Sequence, residues 1–237
     1  MCIIAVKCKG ADFAPLSAIK NCVDSNPHGF GMAWNQDGAV KTFRTMDPAE
    51  AIARYHTLST TLDPARTALL FHARIATHGS KKLENCHCWT YGDTVAFAHN
   101  GILHNIPARD DMTDSETFFR DYFIPAVEGV DWEYALKLAK AIVAGTHNKL
   151  ALIDSNGGVW LTGDYVKESF SGCRGKIYFS NTSYRPRFFY PLGTRSNSAS
   201  LSTGRSRPAP KDSAMDAKLK TLLGEFQSDQ PGDRLPF

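Results

Sequence analysis

Cysteine stands directly behind the first methionine, in Met1-Cys2-Ile3-Ile4-Ala5-Val6. Loss of Met1 would put a thiol and a free α-amino group on one residue, and with them a nucleophile and a base. A thiol attacks as its thiolate, and an α-amine titrating near ~8 can take that proton close to neutrality. Methionine is generally trimmed before a small residue, and cysteine is small enough. Position alone does not make a catalyst, because a cysteine opening an apolar strand is ordinarily a small core residue.

Three further segments supply what such a nucleophile needs. In Phe71-His72-Ala73-Arg74-Ile75-Ala76-Thr77-His78-Gly79, an arginine at a strand end can offer a guanidinium fork to a carboxylate. In Ala98-His99-Asn100-Gly101-Ile102-Leu103, an Asn-Gly pair after an apolar strand puts a side-chain amide and an unhindered backbone N–H at one spot. That is the donor pair of an oxyanion hole. Met112-Thr113-Asp114-Ser115-Glu116 sets a carboxylate at a helix start, where it can bind an ammonium group. Each has a plainer reading: a turn for Asn-Gly, a surface ion pair for Arg74, an N-cap for Asp114. Cys86-His87-Cys88 does not have the two-to-four-residue spacing of paired zinc cysteines, and no second ligand pair stands out.

The elements that must position these residues are legible as runs and punctuation. Residues 2–7, 29–34, 39–43, 67–74, 94–99, 149–154, 159–162 and 176–180 read as strands. Asn35-Gln36-Asp37-Gly38 and Ser155-Asn156-Gly157-Gly158 read as hairpin turns. Helices are expected over 15–23, with Leu16, Ile19 and Cys22 on one face, and from Asp47-Pro48 to about His56. Two more are expected, one from Asp114 with Phe118, Phe119 and Tyr122, and one over 131–143 with Tyr134, Leu136, Leu138 and Ile142 available for burial. Antiparallel pairs with helices grouped between them indicate an α+β fold and not a doubly wound one.

Composition bounds the rest. The chain has 237 residues, is 43% hydrophobic and 22% charged, and carries a formal charge of +3. These values fit a globular protein and are too weakly basic to imply nucleic acid. No apolar run approaches the ~18 residues of a membrane span. The stretch Ile3 to Val6 is too short for a signal-peptide core, and Lys7 and Lys9 lie on its wrong side. Six cysteines without a secretory signal point to a reducing cytoplasm. Residues 1–193 are read as the folded domain. Residues 194–237 are read as a flexible tail, a Ser/Thr/Arg/Pro-rich linker to residue 210 followed by a short amphipathic helix near 212–227, with Met215, Leu219, Leu222 and Phe226 on one stripe.

In combination and in this order, these segments resemble the glutaminase domain of class II glutamine amidotransferases, the N-terminal-nucleophile type found in glucosamine-phosphate synthase and amidophosphoribosyltransferase. The resemblance rests on His72 to Gly79, Asn85-Cys86-His87, His99-Asn100-Gly101, Thr113 to Glu116 and Pro27 to Trp34, and it covers roughly the first 185 residues. It implies a four-layer αββα sandwich of two antiparallel sheets, no metal and no cofactor. It implies that Cys2 attacks the side-chain amide of glutamine, with its own amine as base and then acid. Asn100 and Gly101 would hold the oxyanion, Arg74 the α-carboxylate and Asp114 the α-ammonium group, with Thr77 and His78 lining the pocket. Of the clustered His72, His78, His87, His99 and His104, only His78 is given a binding role, and His99 is read as a packed residue orienting the Asn-Gly turn.

The match departs from the pattern in one residue. A tryptophan follows the carboxylate-binding arginine in the sugar-phosphate synthases, and Ile75 stands there in this sequence. About 45 residues after the domain are too few for an ammonia-consuming one, so the expectation is a separate acceptor enzyme, with the tail stripe as a docking element. Two rivals stand beside glutamine hydrolysis: a cysteine amidase acting on another amide, and a catalytically silent domain that senses glutamine or scaffolds an assembly.

Overall fold

Two antiparallel sheets face each other, and alternation along their strands decides what lies between them. The computed structural model describes residues 1–76, 80–106 and 112–186. The expected tail at 194–237 and its stripe lie outside these residues, as do Thr77 and His78. The first sheet has the order β3-β2-β4-β1-β10-β9 and the second β5-β6-β7-β8. Their strands are β1 (Ile3–Lys7), β2 (Phe30–Gln36), β3 (Ala39–Thr45), β4 (Leu69–Ala73), β5 (Trp89–Tyr91), β6 (Val95–Asn100), β7 (Lys149–Asp154), β8 (Val159–Thr162), β9 (Val166–Glu168) and β10 (Ile177–Phe179).

Successive side chains of a strand point to opposite faces. In β1, Ile3 and Ala5 join the core under the first helices, while Ile4 and Val6 join the layer between the sheets. In β6, Val95 and Phe97 face the second helical layer, and Ala96 and Ala98 face the first sheet. Helix α1 (Leu16–Ser25) and helix α2 (Pro48–Thr61) cover the outer face of the first sheet. Helices α3 (Asp114–Phe118), α4 (Ile124–Gly129) and α5 (Trp132–Val143) cover the outer face of the second. A π-helical stretch, Phe119–Phe123, joins α3 to α4. The result is the four-layer αββα sandwich, α+β in class.

Helix starts follow the sequence. Asp47 caps α2, accepting from Ala49 N at 2.8 Å with Pro48 at the first position, and the helix runs to Thr61, five residues past the expected end. Helix α5 packs Leu136, Leu138 and Ile142 partly buried against the second core, as expected, but not Tyr134. Ala135, Ala139 and Val143, spaced by four, are buried, and Tyr134 is exposed. Tyr122 is likewise exposed, while Phe118 and Phe119 are buried. Strands β5 and β9, three residues each, are additions to the expected set.

Candidate active site

The pleat that separates the two faces also aims the site. Cys2 continues the parity of Ile4 and Val6, Asn100 that of Ala96 and Ala98, and Ser180 that of Tyr178, which packs in the layer between the sheets. Strand parity therefore points all three into the space between the sheets at one end of the sandwich. There a cavity of about 380 Å³ opens, walled by Cys2, Asn100 and Gly101 together with Ile75, Thr146 and Asn148. Met1, 65% exposed, stands at its mouth.

Cys2 is held by backbone. Ile75 N donates to its Sγ at 3.4 Å, Sγ lies 3.5 Å from Ile75 O, and Asn181 Nδ2 donates to Cys2 O at 2.6 Å. Burial pushes the thiol up, while the Ile75 N–H, the charged N-terminus and the Arg74 guanidinium pull it down toward the thiolate. Arg74 is buried at the end of β4, where Nη1 donates to Ser80 O at 2.9 Å and backbone bonds with His28 and Gly29 fix the chain on both sides. The described wall of the cavity includes neither Arg74 nor Asp114.

Asn100 ends β6 opposite Lys149 of β7. Gly101 follows with φ +146°, and a Cβ there would lie 1.8 Å from Asn148 Oδ1. Only glycine allows Asn148 to pass that close. Asn148 is itself pinned, since its N and Nδ2 both donate to Thr146 Oγ1 at 3.1 Å, and that hydroxyl donates to Val143 O at 2.7 Å. Its Oδ1 is thereby turned to His99 Nε2 at 2.9 Å. A carbonyl oxygen only accepts, so Nε2 carries the proton, while Nδ1 lies 2.7 Å from Ser115 Oγ, whose hydroxyl also reaches Asp114 Oδ1 at 3.2 Å. Burial holds His99 below its ordinary range, with Asp114 and Asn148 opposing. His99 thus packs behind the Asn-Gly turn and ties it to α3.

Asp114 does not cap its helix. Thr113 does, accepting from Glu116 N at 3.2 Å. The Asp114 carboxylate reaches back instead, and its Oδ2 accepts from Leu103 N at 2.6 Å, two residues beyond Gly101. His87 Nδ1 accepts from His99 N at 3.0 Å, and its ring stacks on His72 at 4.0 Å. Among the described residues no group of three or more His, Cys, Asp or Glu is placed to hold a metal.

The structure thus gathers Cys2, Asn100 and Gly101 at one cavity, while Arg74 precedes the wall residue Ile75 and Asp114 bonds Leu103, the residue after the wall residue Ile102, without either lining the cavity. Sequence reasoning missed the Ile75 backbone, Asn148, Ser180 and Asn181. Ile75 lies inside the segment from His72 to Gly79, where only its backbone role went unread, and the other three sit in no motif and come to the site from far along the chain.

The family model of class-II glutamine amidotransferases matches residues 3–127. A search of curated proteins by sequence found no match. Among solved structures, a glutamine aminotransferase class-II domain protein from Silicibacter pomeroyi is similar at 15% identity and a TM-score of 0.45, over 76% of this chain and 88% of that one. A glutamine phosphoribosylpyrophosphate amidotransferase from B. subtilis, complexed with ADP and GMP, is similar at 13% identity and a TM-score of 0.44, over 78% of this chain and 42% of that one.

Proposed function

Since the chain belongs to the class-II glutamine amidotransferases, enzymes that hydrolyse the side-chain amide of glutamine, we propose that Cys2 is its nucleophile once Met1 is removed. The observation that carries this is the cavity in which Cys2 faces Asn100 and Gly101. The freed α-amine takes the thiol proton, and Sγ attacks the amide carbon of glutamine. The Asn100 amide and the Gly101 N–H hold the oxygen that gains charge. The same amine, now protonated, gives its proton to departing ammonia, and water releases glutamate from the thioester. Arg74 binds the α-carboxylate and Asp114 the α-ammonium group, with Thr77 and His78 completing the pocket. A ligand lacking either charge forgoes one of the two charged contacts, which favours the free amino acid.

Residues 1–193 form the glutaminase unit in this reading, and residues 194–237 dock on a separate acceptor protein that consumes the ammonia. The six cysteines are free, which supports a reducing, cytoplasmic setting. No helix among the described residues is long and apolar enough to cross a membrane.

One experiment tests the proposal. Intact mass reports whether Met1 is lost, and glutamate release from glutamine is followed for the full chain, Cys2→Ala and residues 1–193. The expected result is a chain lacking Met1, activity in the full chain and in residues 1–193, and none in Cys2→Ala. Retained Met1, or equal rates with and without the thiol, overturns the nucleophile assignment. Loss of activity in residues 1–193 overturns the division of the chain.

A further inference from the structure

One end of the Asn100 side chain is bonded and the other has no partner. Its Nδ2 lies 2.8 Å from Ser180 Oγ, while Oδ1 is buried without a hydrogen bond among the described residues. Ser180 Oγ already accepts from Ile4 N at 2.8 Å. A hydroxyl has one proton and two acceptor lone pairs. If the Asn100 amide also donates to it, both lone pairs are filled, the hydroxyl proton has no use within the triad, and the amide oxygen stays orphaned. Half a turn of the amide exchanges two ends of the same size, gives the hydroxyl proton an acceptor and leaves a donor, not an acceptor, as the unpaired end. Ser180 O–H then donates to Oδ1, and the NH2 group takes the unpartnered place in the cavity wall beside Cys2 and Gly101.

We propose that Ser180 is the positioning residue that turns the Asn100 amide so that a donor, not an acceptor, meets the oxyanion. This rests on the reading in which Asn100 holds that oxyanion. The Ile4 N–H fixes the Ser180 hydroxyl by filling one lone pair, and the proton left over selects the oxygen end of the amide. An oxygen in the same place would repel the charge it is meant to stabilise. The position is set by the fold, because Ser180 N also donates to Ile4 O at 2.9 Å and so extends the pairing of β10 with β1 past Phe179. Asn181, next in the chain, grips Cys2 O and so acts on the nucleophile instead.

The test is a double-mutant cycle read by two reactions. Ser180→Ala is expected to lower kcat for glutamine about tenfold to a hundredfold, short of the loss of a whole oxyanion donor, with KM within about twofold. Alkylation of Cys2 by iodoacetamide builds no oxyanion and is expected to stay within about twofold of wild type. In an Asn100→Ala background, Ser180→Ala is expected to cost less than about twofold more, since it acts through that amide. The same loss in both backgrounds, or a parallel fall in alkylation, overturns the proposal as mere structural damage at a residue 2% exposed. If Asn100→Ala itself keeps wild-type kcat, the oxyanion reading falls and this inference with it. If Ser180→Ala fails to fold, Ser180→Cys, similar in shape and a weaker donor, carries the turnover cycle with the same expectation.

Discussion

At Gly101 a single hydrogen atom separates backbone from side chain. A Cβ would lie 1.8 Å from Asn148 Oδ1, on a backbone at φ +146°. Gly101→Ala must therefore displace Asn148, whose Oδ1 is the acceptor for His99 Nε2, and leave that buried N–H unsatisfied. It must also move the N–H to which the proposed mechanism assigns the oxyanion. We expect kcat for glutamine to fall about a hundredfold or more, with the melting curve still cooperative; near-wild-type turnover would show that the Gly101 N–H takes no part. The Asn-Gly pair was legible because its chemistry is local, two adjacent residues after an apolar run. Ser180 was not, because a lone serine at a strand end carries no chemistry until sheet order sets it against Ile4 and Asn100, 176 and 80 residues away.

At the scale of elements, the start of α3 separates two duties that the sequence left on one residue. Asp114 could have been an N-cap, which would have occupied its carboxylate. Thr113 takes the cap, and Asp114 accepts from Leu103 N. The two substitutions should therefore fail differently. Thr113→Ala is expected to cost about 1 kcal/mol of stability in urea unfolding, as lost N-caps do, with KM unchanged. Asp114→Asn keeps an acceptor for Leu103 N but removes the charge, so KM for glutamine should rise about tenfold or more with little change in stability. A KM effect from Thr113→Ala equal to that of Asp114→Asn would mean that the helix start is one structural unit with no division of labour. Elsewhere, hairpins and helix starts were legible where turn and cap residues are local, as at Asp37-Gly38 and Asp47-Pro48. Strands β5 and β9 were not, because three residues are too few to show a period, and β9 forms a sheet edge with little burial.

Across the whole molecule, the layer between the sheets combines small apolar residues with buried imidazoles. Ala33, Ala96, Ala98 and Ala151 let the sheets approach, and His72 and His87 stack at the end nearest the site, with His99 buried on the other face of β6 against α3. Both ring nitrogens of His72 lack a hydrogen bond among the described residues, so its ring serves as a flat partner for His87. Burial holds His72 down at about 3, with Arg74 and His99 adding repulsion, and holds His87 and His99 below their ordinary range as well. A group whose folded pKa lies below its unfolded value binds fewer protons in the folded state. It favours the fold above the unfolded value, near ~6.5, and that contribution is lost as pH falls toward the folded value. For His72 the window runs from there down to about 3. Each such imidazole adds up to ~1.4 kcal/mol per pH unit to the loss of stability on acidification. His72→Phe keeps the stacking ring and removes the titration. Urea unfolding between pH ~7.5 and ~4.5 should then show neutral-pH stability unchanged or higher, because a buried polar group without partners is replaced by an apolar one of similar shape. The acid slope should be shallower by up to ~1.4 kcal/mol per unit. An unchanged slope would mean that His72 gains a proton acceptor or water as the pH falls, and that the layer between the sheets opens before the rest of the fold.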